Sequence, residues 1–87
     1  MIVGVYAVKD TLTDEFMQPA FLKDESAKRW FNEVINVTNI IKNNPTDYEM
    51  YKLAIYNTET GMFENDFQKV CTAAQVKAER GETDGLR

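Results

Sequence analysis

The chain has 87 residues, 44% of them hydrophobic and 28% charged, with a formal net charge of −4. That balance suits one small globular domain and leaves no room for a second core. Its acidity runs against generic nucleic-acid binders, whose phosphate contacts come from Lys and Arg; with no histidine and one cysteine, Cys71, an internal disulfide and a Cys/His metal set are excluded.

No apolar run approaches the ~20 residues of a membrane span. The opening MIVGVYAVKD has neither a basic stretch nor a long apolar one, so no export signal is expected. A lone cysteine fits a reducing interior. A core of this size leaves only a few kcal/mol of net stability, so self-association into a homo-oligomer is expected.

Ile2 to Lys9 (IVGVYAVK) is rich in β-branched and aromatic residues and predicts a strand. Ile2, Gly4, Tyr6 and Val8 share one face, and Val3, Val5 and Ala7 the other. Both faces are apolar, which places the strand centrally. Asp10 to Asp14 reads as a polar turn. Glu15 to Phe21 (EFMQPAF) returns extended, and Pro19, which cannot donate to a ladder, makes it an edge strand or an irregular return.

Asp24 to Asn36 predicts the main helix, with Asp24 as N-cap. Ala27, Trp30, Phe31, Val34 and Ile35 recur at helical spacing and form its apolar stripe. Glu25–Arg29 and Arg29–Glu33 place opposite charges four apart on the wet side. Val37 to Asn43 is a connection pinned by Val37, Ile40 and Ile41. Asn44 before Pro45 reads as a cap and a first helical position for one short turn.

Glu49 to Asn57 alternates and predicts a strand. Tyr51, Leu53 and Ile55 share one face, assigned to the helix; Met50, Lys52, Ala54 and Tyr56 share the other. Thr58 to Gly61 is a hairpin loop, with Gly61 free to take a positive φ. Met62 onward returns as the partner strand. Its end has two readings: Phe67, Val70, Cys71 and Ala74 have helical spacing, while VCT-AAQVKAE reads as a strand end, Thr72 as N-cap and a short helix. The second is preferred. Residues 79–87 read as a flexible polar tail behind a domain at 1–78.

The order β-β-α-β-β with a short C-terminal helix predicts a single α+β domain: a mostly antiparallel sheet of three to four strands carrying one main amphipathic helix on one face. Chemistry is hard to place on it. There is no Gly-rich phosphate loop and no nucleophile motif. Asp10/Asp14 and Asp47/Glu49 occupy turn or capping positions. No enzymatic activity, catalytic residue, metal or cofactor is expected. A binding surface is easier to draw, because the sheet face away from the helix would show Tyr6, Lys52 and Tyr56. Rings can stack on bases and a lysine between them can meet phosphate. Lys9 and Lys69 would extend the basic side. The alternative is that these tyrosines cover the sheet or pack in a dimer.

Several motifs resemble the small nonstructural protein of gokushovirus-type microviruses, tailless phages with a single-stranded DNA genome. Tyr6 to Asp10 (YAVKD) looks like that family's first strand, Phe16 to Phe21 (FMQPAF) like its F-x-x-P-x-F return, and Ala27 to Val34 (AKRWFNEV) like its amphipathic helix. Asn44 to Gly61 (NPTDYEMYKLAIYNTETG) looks like its P-x-D-Y/F…T-G block. The likeness covers about residues 5 to 75. Asp10, Pro19, Phe21, Asp47, Tyr48, Tyr51 and Gly61 match motif positions. Ala54, Ile55 and Asn57 depart, standing where glycine, a polar residue and aspartate are common. The resemblance implies a DNA-binding protein of the host bacterial cytoplasm that acts in the switch from double- to single-stranded synthesis. It supplies no catalytic residues. The expected partner is single-stranded viral DNA. The rival expectation is a phage replication initiator or host replication factor, which the acidic charge favours. An acidic mimic of DNA is disfavoured by the interspersed Lys and Arg.

Overall fold

The computed structural model describes residues 1–79. Five strands form one antiparallel sheet: β1 (Ile2–Asp10), β2 (Glu15–Phe16), β3 (Ala20–Leu22), β4 (Tyr48–Asn57) and β5 (Phe63–Thr72). The order is β2-β1-β4-β5, and β3 follows β2 along the same edge of β1. The expected edge return is thus one line of chain in two pieces, broken around Pro19, which has no N–H to give. That break makes five strands of the three to four expected. β1 is central, as its two apolar faces require.

Three helices lie on one side: α1 (Ala27–Val37), α2 (Asn39–Asn43) and α3 (Ala73–Glu79). They close over Tyr6, Val8, Tyr48, Met50 and Cys71 of the sheet, with Phe31, Ile35, Ile41 and Val76 as the helical side of the core. Ala27, Phe31 and Ile35 repeat every four residues, so one stripe of α1 faces the sheet. Burying Phe31 completely contributes about 1.5–3 kcal/mol. Trp30 and Val34 pack at the margin of this core.

Local chemistry explains the connections. The Asp10 carboxylate accepts the Leu12 and Thr13 N–H groups, closing the first turn. In the β4–β5 hairpin the Asn57 side chain does the same for Glu59 and Thr60, and Gly61 takes φ +74°. Thr72 and Gln75 form a reciprocal cap: the Thr72 hydroxyl accepts the Gln75 N–H at 3.0 Å, and the Gln75 amide oxygen accepts the Thr72 N–H at 2.8 Å. This T-x-x-Q box turns the end of β5 into α3, as the preferred reading had it.

Some local expectations change. Asp24 does not cap a helix; Asp24–Ser26 is a 3-10 turn leading into α1, and the carboxylate is engaged elsewhere. Residues 39–43 are helical rather than a plain connection, because the Thr38 carbonyl accepts the Ile41 and Lys42 N–H groups. Ile41 alone pins this segment, since Val37 and Ile40 are exposed. Asn44 does stand at the N-cap of a short 3-10 turn, Pro45–Asp47, as expected, but its side chain makes no cap hydrogen bond and its amide donates back to the Ile40 carbonyl. The Glu25–Arg29 and Arg29–Glu33 pairs are not among the ion pairs of the described residues, in keeping with how little an exposed pair is worth against side-chain entropy. The tail expected at 79–87 begins at the last residue of α3, and residues 80–87 lie outside the described residues.

Candidate nucleic-acid interface

Strand register decides which side chains reach the open face, the side away from the helices. Partners opposite each other in a sheet share a face. Val3 pairs with Tyr56, Val5 with Ala54, Ala7 with Tyr51 and Lys9 with Glu49. On the other face Gly4 pairs with Ile55, Tyr6 with Lys52 and Val8 with Met50. Between Lys52 and Ala54 the pairing skips Leu53, a β-bulge in β4. A bulge adds one residue and resets the alternation. The strict alternation expected along this strand therefore fails. Tyr51 is on the open face, not toward the helix. Met50 and Lys52 are on the helix side, not the open one. Beyond the bulge, Ile55 and Tyr56 fall where they were expected.

The open face is aromatic. Phe16 is opposite Lys9, Phe21 opposite Val5, and Phe63 opposite Tyr56. Two ring clusters result. In the first, Phe16 stands edge-on to Tyr51 at 5.3 Å and 86° and to Phe67 at 6.0 Å and 76°, while Tyr51 and Phe67 are tilted at 5.3 Å and 37°. In the second, Phe21 stands edge-on to Tyr56 at 5.3 Å and 82° and to Phe63 at 6.1 Å and 68°, while Tyr56 and Phe63 are tilted at 4.8 Å and 40°. One arrangement is built twice, each time from the edge line, β4 and β5. The rings cover Ala7 and Val5, which are buried on a side with no helix above them. The four phenylalanines stay 40–59% exposed. Four such rings exposed on one face of the described chain make it the candidate interaction surface.

The charges on this face are compensated. The Lys9 ammonium lies 5.5 Å from the Phe16 ring centre and 5.6 Å from that of Tyr51, within cation–π range, and 2.8 Å from Asp14. Asp14 raises the Lys9 pKa and has its own lowered in return. Lys69, opposite Tyr51, is 2.9 Å from Glu49, whose hydrogen bond and charge raise its pKa. The second cluster has no cation–π pair among the described residues; Val3, Ala54 and Asn65 surround it, and the exposed Lys23 follows β3 beside it.

Of the five residues expected at the interface, the structure brings Lys9, Tyr56 and Lys69 to the open face. Tyr6 and Lys52 lie on the opposite side. The Tyr6 hydroxyl donates to Asp24 at 2.5 Å, and Lys52 bridges Asp24 at 3.2 Å and Asp66 at 3.1 Å. Burial and the Asp24 carboxylate push the Tyr6 pKa far up. Burial pulls Lys52 down, but the two carboxylates outweigh it and hold it charged. Asp24 is held below the usual carboxylate range, chiefly by the Tyr6 hydroxyl. These groups tie the 3-10 turn and β5 to the middle of the sheet. Gly4 makes room for them: a Cβ there would fall 2.5 Å from the Tyr6 ring.

Sequence reasoning passed over Phe16, Phe21, Tyr51, Phe63 and Phe67. A signal was present in the paired spacings Phe16/Phe21, Tyr51/Tyr56 and Phe63/Phe67. Two of these are odd and read as opposite faces until the Pro19 break and the Leu53 bulge are known. Elsewhere, a groove of about 420 Å³ near the hairpin, lined by Ile2, Ile55, Met62 and Phe63, has Glu64 as its one ionisable group. No group of three or more potential metal ligands occurs among the described residues. Cys71 is buried, which pushes its thiol pKa up and leaves it a packing residue. No helix of the described residues is long and apolar enough to cross a membrane.

A family model described as Phage ORF5 protein matches residues 3–76, and the chain belongs to that family of phage proteins. The match takes in β1 from Val3 onward, the other four strands whole and the first four residues of α3. Neither a curated protein nor a solved structure matches the chain.

Proposed function

We propose that this Phage ORF5 family protein binds single-stranded DNA through the open face of its sheet, without strong sequence preference and without catalysis. The observation that carries the reading is the doubled aromatic cluster on a face left uncovered by the described chain. Every base has a π-face, and stacking on an exposed ring is worth about 1–3 kcal/mol per base whatever the sequence. Duplex DNA hides those faces, so the selectivity is for unpaired strands. The likeness to gokushovirus-type microviruses supports the setting: replication of a single-stranded genome in the host bacterial cytoplasm, at the switch from double- to single-stranded synthesis.

Titration of a fluorescent oligonucleotide at low salt tests the reading. Non-specific nucleic-acid affinities are on the order of 10⁻⁴ to 10⁻⁶ M, so no binding at about 100 µM protein would sink it. Replacing Phe16, Phe21, Phe63 and Phe67 together by Ser is expected to abolish binding.

A second reading has its own support. The net charge is −4 and Lys9 and Lys69 already hold carboxylates, which suits a protein partner better than a phosphate chain. The partner would be the phage replication initiator or a host replication factor. Purified initiator that binds the face and is not displaced by excess oligonucleotide would favour it.

A further inference from the structure

The duplication of the ring cluster carries more than the existence of a surface. We infer that the open face holds two separate base-stacking stations, one at each end, and that its ligand is a single strand long enough to bridge them. This inference rests on the single-strand reading above and specifies its geometry.

Each station has the same three parts in the same relation: an edge-on phenylalanine and a tilted tyrosine–phenylalanine pair. Tyr51 and Tyr56 mark the two ends. Five residues of strand at about 3.3 Å each, less the shortening at the bulge, set them about 15 Å apart. The floor between them is Val5, Ala7 and Ala54, too small to offer a ring. Bases can therefore stack at the ends and not in the middle. At the ~3.4 Å rise of a stacked strand, 15 Å corresponds to about four to five steps, or about five to six nucleotides counting both ends.

The stations are also unequal. Lys9 lies against two rings of the first, and Lys69 is opposite Tyr51 there. The second is surrounded by Val3, Ala54 and Asn65. Among the described residues a lysine lies over the rings at the first station alone, so the two ends of the bound strand meet different surroundings. A second copy of this chain is the rival occupant of the same rings. It would hide all six rings at once, with no dependence on oligonucleotide length.

The test uses the full chain and oligothymidylates of two to eight nucleotides, read by fluorescence anisotropy. Affinity is expected to stay flat over the shortest lengths and to rise about tenfold or more between three and six nucleotides, then to level off. Phe63→Ala and Phe67→Ala truncate exposed rings, one per station, and thermal melting checks that each still folds. Each is expected to remove the step and leave a six-mer bound like a three-mer. A six-mer abasic at positions 3 and 4 is expected to bind within about twofold of the intact one, while one abasic at positions 1 and 6 loses about tenfold or more. If affinity grows evenly with each nucleotide, or the central abasic sites cost as much as the terminal ones, the two-station inference is overturned while single-strand binding stands. If no oligonucleotide binds and the same variants convert a dimer to a monomer in sedimentation, both readings fall.

Discussion

Raising sodium chloride from 50 to 200 mM separates stacking from phosphate recognition, and the size of the effect can be worked from the open face. Single-strand affinity falls with salt at a slope of about −0.7 per phosphate neutralised. The face presents Lys9 and Lys69, each within 3 Å of a carboxylate, and the exposed Lys23 follows β3 beside the second cluster. Three neutralised phosphates give a slope of about −2.1, so a fourfold rise in salt weakens binding by at most about 20-fold. Asp14 and Glu49 lower the figure further, because each must yield its lysine or repel the phosphate. A binder with six to ten phosphate contacts loses about 10³–10⁵ on duplex DNA over the same interval. The assay is anisotropy of a labelled eight-mer at four or five salt concentrations, plotted as log K against log salt. A slope steeper than about −3 would require more cations than this face has. It would move the interface to the helix side, where Lys28, Arg29 and Lys42 lie, and refute the stacking argument.

Three further outcomes concern the scaffold. Gly4→Ala places a methyl where the Tyr6 ring lies 2.5 Å away; overpacking of this kind costs about 1–3 kcal/mol, and thermal melting should show a fall of about 5–20 °C. An unchanged melting temperature would mean that Tyr6 and Asp24 are not held as tightly as described. Thr72→Ala removes the acceptor for the Gln75 N–H and should cost about 1 kcal/mol in denaturant unfolding, with Thr72→Ser restoring most of it. The third outcome follows from Asp24, whose folded pKa is depressed, first by the Tyr6 hydroxyl and then by Lys52. Its contribution to stability is present above the unfolded value of about 4 and is lost as pH falls through the lowered folded value. Tyr6→Phe should flatten the fall of melting temperature between about pH 5 and 2; an identical acid limb in both proteins would remove Tyr6 as the main cause.

Several parts of the structure are local enough to be read directly. The order of strands and helices follows from β-branched runs, a four-residue apolar repeat and turn residues. The Thr72–Gln75 box is a pattern of two residues three apart, and Gly61 ends a loop that needs a positive φ. Each depends on the physics of a few consecutive residues, so the amino-acid order alone determines it. The central place of β1 also follows, since a strand apolar on both sides needs cover on both.

The facing of β4 was decided by tertiary structure. Alternation makes Tyr51 and Tyr56 opposite in any regular strand, because five is an odd step. Leu53 has no partner across β1, and that one unpaired residue puts both tyrosines on the same side. Nothing in LAI or KLA marks a bulge, because the bulge is a property of the pairing between β1 and β4. Lys52 went the same way: its neighbours in sequence suggested a phosphate contact, whereas Asp24 and Asp66, 28 residues before it and 14 after, turned it into a tether. The amino-acid order therefore determined that this small acidic phage protein would have a helix-backed sheet carrying many aromatic residues. Only the pairing of strands far apart in the chain decided that six of those rings gather into two matching clusters on one open face.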